Sequence, residues 1–314
     1  MKLGFAVKVL GKGGMPSHDT RRWQSNPHLR VSLKYLLDIL TYLDANDIRM
    51  YRMATALAPY ASHPDMPGFR NQVDECSDEL ARIGARAREL DVRLSTHPGQ
   101  YTVLNSDDER VANLAVVELE VQAEMLDAMG LGPECVVVLH VGGGAGNKEA
   151  ATDRFVRGFD RLSDAAKRRL AIENDDRTFS LLDVLPIAER IGRPVVWDIL
   201  HHHCNDPKAL PDREALEMAL STWRDEVTPK IHFSSQRLDL SERKVKRGRR
   251  VERAVVLPQM RAHADLIDPM SFELFLRHTA TGLDFDVMLE AKGKDLALIR
   301  LREQLSARGI SLPN

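Results

Sequence analysis

Val136-Val137-Val138-Leu139-His140 is the stretch that decides the fold, because it has the composition of a buried strand and ends on an imidazole. The same pattern recurs along the chain, where an apolar run closes on a side chain that can hold a metal ion. The other runs are Leu94-Ser95-Thr96-His97, Leu170-Ala171-Ile172-Glu173, Val195-Val196-Trp197-Asp198, Lys230-Ile231-His232 and Val287-Met288-Leu289-Glu290, and Ile199-Leu200-His201 directly continues the run that ends on Asp198. In a (β/α)8 barrel the last side chains of the strands converge on one face. The repeated ending therefore predicts a barrel with metal ligands at its mouth.

Strand and helix patterns alternate over the whole chain. The candidate strands are residues 2–7, 48–53, 92–97, 135–141, 169–173, 194–199, 230–234 and 286–290, and the candidate helices are 29–45, 71–90, 108–129, 149–167, 179–191, 212–226, 271–282 and 293–308. Strands separated by helices imply a parallel sheet. The alternation is also compatible with a doubly wound sheet, but ligands spread over six strands favour a ring. We predict an α/β fold, a (β/α)8 TIM barrel in a single domain over residues 1–314.

Composition limits the possible partners and compartments. The 44 Lys and Arg residues nearly balance 46 Asp and Glu, so a net charge of -2 gives no global attraction to nucleic acid. Three cysteines are too few and too scattered for a disulfide framework and fit a reducing cytoplasm; we expect Cys76 and Cys135 in the core. No signal peptide opens the chain, and no stretch approaches the roughly 18 apolar residues of a membrane span. We expect a cytoplasmic protein with no membrane association.

The strand-end residues together have the chemistry of a multinuclear metal centre. They exceed the three or four ligands of a mononuclear site, so they imply two or three ions with bridging carboxylates. Thiolates are absent from these positions, which leaves manganese, zinc or iron as the plausible ions. Such a centre activates water and stabilises a phosphoryl oxygen. The assignment of His201 is open at this point, because His202 and His203 follow it directly.

Six motifs in this order resemble the ultraviolet damage endonuclease family. They are Thr96-His97-Pro98-Gly99-Gln100-Tyr101, His140-Val141-Gly142-Gly143, Ile172-Glu173-Asn174-Asp175-Asp176, Asp198-Ile199-Leu200-His201-His202, Lys230-Ile231-His232-Phe233-Ser234 and Met288-Leu289-Glu290-Ala291-Lys292. The resemblance covers nearly the whole chain, from residue 3 to residue 301. It implies a TIM barrel related to endonuclease IV and to xylose isomerase-like enzymes. It also implies a DNA repair enzyme that nicks immediately 5′ to cyclobutane pyrimidine dimers, 6-4 photoproducts and some other lesions, usually with manganese.

The resemblance also implies individual site residues. The family's ligands fall on His97, His140, Glu173, Asp198, His201, His232, His263 and Glu290. Of these, His263 is the one that no apolar run signals. Glu173 and Lys230 are the catalytic candidates, Glu173 as a bridge between two ions. Lys230 matches a lysine that can carry a carboxyl adduct, and an unmodified lysine that binds phosphate is the alternative.

DNA contacts are expected from two segments. Gln100 and Tyr101 match the pair that probes the helix opposite the lesion in the family. Six cations, which include the DNA-contact candidates Arg247, Arg249 and Arg250, crowd one predicted loop at residues 243–250. A charge run is usually a solvated surface, but backbone contacts by Lys and Arg supply the sequence-independent part of DNA affinity. The glycines of residues 142–146 could either bind phosphate at a helix start or make room beside the cluster.

The first strand departs from the family pattern. Phe5 stands where a Tyr is usual, and Val9 stands where an Asn is common. Loss of a hydroxyl and an amide puts in doubt any lesion contact made from the first strand, whereas the metal set is untouched.

We therefore predict a manganese-dependent endonuclease that acts on damaged double-stranded DNA, associates with the nucleoid during repair, and needs no nucleotide cofactor and no obligate protein partner. The alternatives are an abasic-site endonuclease or a xylose isomerase-like sugar isomerase on the same barrel, since fold alone does not fix function. A catalytically dead damage-binding protein is a third possibility. The complete ligand set argues against it.

Overall fold

The structure is a computed structural model that describes residues 1–248, 250–310 and 312. Within these ranges no helix combines the length and the apolar character that crossing a membrane requires. The side chains of Ser241 and Arg247, like residue 249, lie outside what is described.

Eight parallel strands form a closed ring, with a two-stranded hairpin attached. The strands in chain order are β1 (Leu3–Ala6), β2 (Met50–Arg52), β3 (Arg93–Ser95), β4 (Val137–His140), β5 (Leu170–Glu173), β6 (Val195–Val196), β7 (Lys230–Phe233), β8 (Ser241–Arg247), β9 (Arg250–Val256) and β10 (Asp286–Leu289). One sheet has the order β3-β2-β1-β10-β7 and a second has the order β4-β5-β6. Parallel bridges from Thr96 to Val137 and from Asp198 to His232 join the two sheets at both seams. The predicted (β/α)8 barrel is confirmed.

Helices connect the strands on the outside of the ring. They are α1 (Leu29–Ala45), α2 (Gln72–Glu75), α3 (Ser77–Glu89), α4 (Glu109–Ala128), α5 (Lys148–Asp160), α6 (Asp164–Arg169), α7 (Leu181–Ile191), α8 (Ile199–Cys204), α9 (Asp212–Leu220), α10 (Pro269–Leu274) and α11 (Lys294–Ala307). Short 3-10 turns lie at Gly11–Gly13, Trp23–Ser25, Thr55–Leu57 and Pro67–Phe69, and a π turn lies at Phe275–Thr279. Two predicted helices are each divided in two. The helix predicted at 149–167 stops at Asp160, because Ser163 caps a new helix by accepting a hydrogen bond from the Ala166 amide.

Alternate strand residues face the helices and the barrel interior. Leu139, Ile172 and Val287 belong to the large apolar layer between the strands and the helices. On the other face, Val136, Val138, Ala171 and Val196 form a separate buried cluster with Trp223 and Val227. Because side chains alternate along a strand, this cluster fills the barrel directly beneath His140, Glu173 and Asp198. The side chains directly beneath the ligand candidates are therefore apolar and buried from solvent.

The departures on the first strand fall in the outer packed layer. Phe5 is fully buried, and its ring lies 5.4 Å from the Tyr51 ring in an edge-on arrangement. Val9 is buried in the same layer. Neither side chain faces the barrel interior, so the hydroxyl and the amide that this chain lacks do not leave a gap at the ligand cluster.

The basic segment predicted as a loop is a β-hairpin. Strands β8 and β9 pair antiparallel, with Ser241 opposite Val256 and Arg247 opposite Arg250. Below the hairpin, an antiparallel bridge joins Gln236 to His263, and the Arg237 amide donates to the Ala262 carbonyl at 2.7 Å. The hairpin therefore begins directly beside a ligand candidate.

Candidate metal centre

Parallel pairing brings the predicted strand ends to one level of the barrel. His140 pairs with Glu173 across β4 and β5, and His232 pairs with Met288 across β7 and β10. The seam bridge places Asp198 beside His232. Glu173, Asp198 and His232 are fully buried, whereas His97 and His140 retain some exposure. The cluster is therefore open toward solvent on one side.

The turn after β6 explains how Asp198 and His201 face the same point. Asp198 ends the strand and caps α8, because its side chain accepts a hydrogen bond from the His201 amide at 2.8 Å. The strand predicted at 194–199 is therefore shorter, because β6 ends at Val196 and Ile199 begins α8. One helical turn, and not one extended step, brings the His201 ring back over Asp198.

The three consecutive histidines have separate surroundings. His201 Nδ1 lies 3.5 Å from Glu173 Oε1 and 3.0 Å from the Asn174 carbonyl. His202 is buried against the Trp197 ring and its Nε2 lies 3.1 Å from the Leu210 carbonyl. His203 points to Asp212 at 2.9 Å. Of the three, His201 faces the cluster, and it is the residue that the family resemblance implies.

Glu173 lies at the centre of the cluster. Its Oε1 is 2.8 Å from His232 Nδ1, and its Oε2 is 2.9 Å from His97 Nε2 and 3.6 Å from His140 Nε2. His201 Nδ1 lies 3.5 Å from Oε1, so the two oxygens of this carboxylate face four imidazoles. Both oxygens are thus placed where a carboxylate that bridges two ions would need them.

Three groups of side chains are close enough to hold an ion each. They are His97 with His232 and Glu290, His97 with His140 and Glu173, and Glu173 with Asp198 and His201. The groups overlap, since His97 and Glu173 each belong to two. His263 belongs to none of them; its Nδ1 lies 3.6 Å from Glu290 Oε2, at the edge of the cluster.

Unpaired buried atoms test whether these residues fit divalent ions. Glu173 Oε2, Asp198 Oδ2, His140 Nδ1 and His232 Nε2 are inaccessible to solvent and have no hydrogen-bond partner. A buried polar atom without a partner destabilises the fold, and in native structures nearly all such atoms have a hydrogen-bond partner. Four such atoms in one cluster of imidazoles and carboxylates fit ion ligands better than any hydrogen-bonding scheme.

Burial and charge shift the pKa values in this cluster. Burial alone would raise the pKa of Glu173, but His232 and His140 hold it well below its usual range. Burial alone would lower the pKa of His201, but Asp198 and Glu173 outweigh it and raise the pKa to about 11. Burial lowers the pKa of His232 to about 4 despite the neighbouring carboxylates. These shifts favour a charged Glu173, a neutral His232 and a protonated His201, and a protonated His201 would have to lose a proton to bind an ion.

Lys230 lies two residues deeper on β7 than His232. It is fully buried, and its Nζ donates to Ser95 Oγ at 3.1 Å. Burial, Arg93 and Arg52 hold the pKa of Lys230 well below its usual range.

Arg52 and Asn174 are site residues to which the sequence reasoning gave no role. Arg52, inside the barrel on β2, forms an ion pair with Glu290. Asn174 donates from its side chain to the Asp198 carbonyl at 3.0 Å and accepts from the Asp198 amide at 2.9 Å. These contacts hold two ligand candidates in place. Asn174 stands in the quoted Glu173-Asn174 motif, whereas no local signal marks Arg52.

Gln100 and Tyr101 follow the end of β3, and Arg250 lies in the hairpin that follows the end of β7, so these three DNA-contact candidates lie on the same side of the barrel as the cluster. Tyr101 is 85% exposed, and Gln100 is exposed beside it in a turn closed by the Thr102 amide and the Gly99 carbonyl. Arg250 is exposed on the hairpin. Arg249 and the side chain of Arg247 lie outside the described part of the chain.

Gly142 has a φ of 106°, and a Cβ there would lie 2.4 Å from Asn105 Oδ1. This close approach favours the role in which the glycine makes room for its neighbours.

Comparison with known proteins gives a consistent set of relatives. A family model described as UV-endonuclease UvdE matches residues 24–312. A UV DNA damage endonuclease from Bacillus cereus (strain G9842) is 34% identical over 286 residues, covering 90% of this chain and 83% of that protein. The crystal structure of SacUVDE matches with a TM-score of 0.82 and 31% identity, over 98% of this chain and 99% of that one. A D-psicose 3-epimerase matches at a TM-score of 0.51 and 14% identity, over 96% of this chain and 90% of that one, a likeness in fold alone.

Proposed function

The chain belongs to the UV-endonuclease UvdE family, and on that premise we propose that it is a DNA repair endonuclease that nicks the backbone immediately 5′ to UV photoproducts. Its lesions are cyclobutane pyrimidine dimers, 6-4 photoproducts and some others. The reaction takes place at a multinuclear divalent-metal centre at the mouth of the barrel. Double-stranded damaged DNA is the partner.

One observation carries this proposal: the three overlapping ligand groups that share His97 and Glu173. Shared ligands bring ions within a few ångströms of one another, as in two-metal phosphodiesterases. The overlap supports two or three ions, with Glu173 as the bridge and Asp198, His201, His140, His232 and Glu290 completing the groups. His263 joins as a ligand of the ion nearest Glu290.

Manganese is the proposed ion, with zinc or another divalent ion as the alternative. Imidazole and carboxylate ligands without thiolate suit these metals. When bound, such ions activate water and stabilise the oxygens of a phosphodiester under attack. The chain's own residues orient this chemistry. Arg52 fixes Glu290, and Asn174 fixes Asp198.

Lys230 is proposed as a carboxylated ligand. A buried lysine with a depressed pKa is largely a neutral amine, which is the form that bonds to carbon dioxide and releases a proton. The resulting carbamate would turn a repulsive cation into an anionic ligand beneath His232. The complete burial of Lys230 supports this role over direct binding of phosphate.

Lesion recognition is proposed to come from Gln100 and Tyr101, and general DNA affinity from Arg247, Arg249 and Arg250. The exposure of Tyr101 supports a stacking role, because a side chain that packed its own loop would be covered. An isomerase would have no use for an exposed probing pair. The likeness to epimerases is one of fold and carries no argument for sugar chemistry.

Incubation of the purified protein with irradiated and unirradiated duplexes, each with manganese or EDTA, tests the proposal. We expect nicks only in irradiated DNA and only with manganese. Nicking of abasic duplexes alone would support the abasic-site alternative. Tight binding of irradiated DNA without any nick would support a damage-binding protein.

A further inference from the structure

The β8–β9 hairpin concentrates positive charge in an otherwise acidic protein. Residues 241–256 contain seven Lys and Arg and two Glu, a net charge of +5. Because the whole chain carries -2, the other 298 residues carry -7. An arm of this charge on an acidic body is attracted to a polyanion and is not explained by solubility.

Strand register divides the hairpin into two unequal faces. Opposite residues of an antiparallel pair lie on one face, so Glu242 with Val255, Lys244 with Arg253, and Lys246 with Val251 share a face, here called the Val251 face. All six of these residues are exposed, and Val251 and Val255 are 63% and 62% exposed. On the opposite face Val245, Ala254 and Val256 are half-buried. Arg243 and Arg250 on that opposite face are exposed as well, so the Val251 face is the more exposed of the two.

The base of the hairpin fixes its position relative to the metal centre. The Ala264 amide donates to the Ser235 carbonyl at 2.8 Å, and Gln236 is bridged to His263. Seven residues per strand reach roughly 23 Å at about 3.3 Å per residue. At about 3.4 Å per base pair, a hairpin of this length laid along DNA spans roughly 7 base pairs.

We propose that the β8–β9 hairpin is an arm that lies along duplex DNA on one flank of the nick site, with the Val251 face against the DNA. This rests on the proposed endonuclease function. Lys244, Lys246 and Arg253 contact phosphates along the arm, in addition to the contacts proposed above for Arg247, Arg249 and Arg250 near its turn, and Val251 and Val255 pack on the sugars between them. A two-stranded ribbon has a size that the major groove of DNA admits. A protein partner is disfavoured, because a protein interface over the two valines would also remove the three surrounding cations from water.

The test compares two variants of equal charge change. The arm variant is Lys244→Ser, Lys246→Ser and Arg253→Ser. The control is Lys34→Ser, Arg157→Ser and Arg300→Ser, which removes three exposed cations from the outer helices α1, α5 and α11. Each variant is assayed for nicking of duplexes with one central lesion and flanks of about 4 or about 12 base pairs. One flank is shorter and the other longer than the roughly 7 base pairs that the arm spans.

On the long duplex we expect the arm variant to raise KM at least tenfold with kcat unchanged, and to reduce the slope of log affinity against log salt by about 2–3. On the short duplex it should match the wild type, which also shows that its barrel is intact. The control should match the wild type on both. Equal KM values for the arm variant and the control variant on the long duplex would contradict the proposed role of the hairpin. So would loss of a concentration-dependent dimer in sedimentation without a change in salt slope, since the face would then bind protein.

Failure of the arm and failure of the proposed function are distinguishable. Nicking of the short duplex by all variants shows that the enzyme works whatever the arm does. If none of the proteins nicks, the endonuclease function fails, and the affinity of the same variants for an undamaged duplex of about 30 base pairs still measures the arm by its salt slope.

Discussion

Glu173 belongs to two of the three ligand groups, as His97 does, and of the two it is the one that carries a negative charge. Glu173→Gln removes that charge and replaces one of the two carboxylate oxygens with an NH2 group that cannot bind a metal ion. We expect metal content to fall and nicking to drop at least about 100-fold, because even residues behind the ligands cost 10–100-fold in such sites. Circular dichroism should be unchanged. The matched control is Glu189→Gln on the exposed face of α7. Nicking within about tenfold of wild type would remove Glu173 from the bridge.

Tyr101 and Gln100 separate lesion recognition from chemistry. Base stacking on an aromatic ring contributes about 1–3 kcal/mol, so Gln100→Ala with Tyr101→Ala should weaken binding of irradiated duplex roughly tenfold or more. Manganese content should stay at the wild-type level. Tyr101→Phe keeps the ring and should keep the affinity. If the double variant loses metal, the pair supports His97 structurally; if discrimination between damaged and undamaged DNA is unchanged, the probing role is wrong.

At the scale of elements, the contact between α3 and the end of α4 tolerates no side chain at Gly84. A Cβ there would lie 1.7 Å from the Met129 carbonyl oxygen. Gly84→Ala gains about 1 kcal/mol in helix propensity, but overpacking costs roughly 1–3 kcal/mol and more where backbone must move. We expect a net loss of stability, seen as a lower urea midpoint. Gly68→Ala, which meets nothing within 4 Å, is the control. An unchanged midpoint for Gly84→Ala would contradict the close α3–α4 contact.

The elements also show how far the sequence predicts this structure. Six of the eight barrel strands were predictable from apolar runs that end on a possible metal ligand, and the other two, β1 and β2, from the alternation of strands with helices. The hairpin was missed because residues 241–256 show no strict alternation of apolar and polar residues, and the dense charge obscured the β-branched Val245, Val251 and Val255. The choice among His201, His202 and His203 needed the structure, since neighbours on a helix differ by about 100° of rotation. His263 is placed by its bridge to Gln236, a long-range contact with no local pattern.

At the scale of the whole molecule, metal loading should be linked to protons. His201, whose pKa is raised to about 11, is protonated near neutral pH and must lose that proton to bind an ion, whereas His232, with a pKa of about 4, is already neutral. Manganese binding should therefore release about one proton per chain, and affinity should rise with pH. Calorimetric titration in two buffers of different ionisation enthalpy measures this number. A value near zero would show that His201 is not a ligand.

The ring of strands from residue 3 to residue 289 gives the barrel, whereas a single domain over residues 1–314 stays a prediction. The proposed ligand set, the proposed ions and the proposed cut 5′ to the lesion all rest on the geometry of one face of the barrel. These proposals describe one reaction, because the lesion probe, the arm and the ligand groups all lie around the same end of the barrel.

The position of the nick tests the central claim most directly. A long duplex carrying one cyclobutane dimer at a known position, labelled at one end, is incubated with the protein and manganese, and the product is sized against a sequence ladder. We expect one cut immediately 5′ to the dimer, none in EDTA, and none in the matched undamaged duplex. A cut elsewhere, a cut that persists in EDTA after metal removal, or equal cutting of undamaged DNA would contradict it.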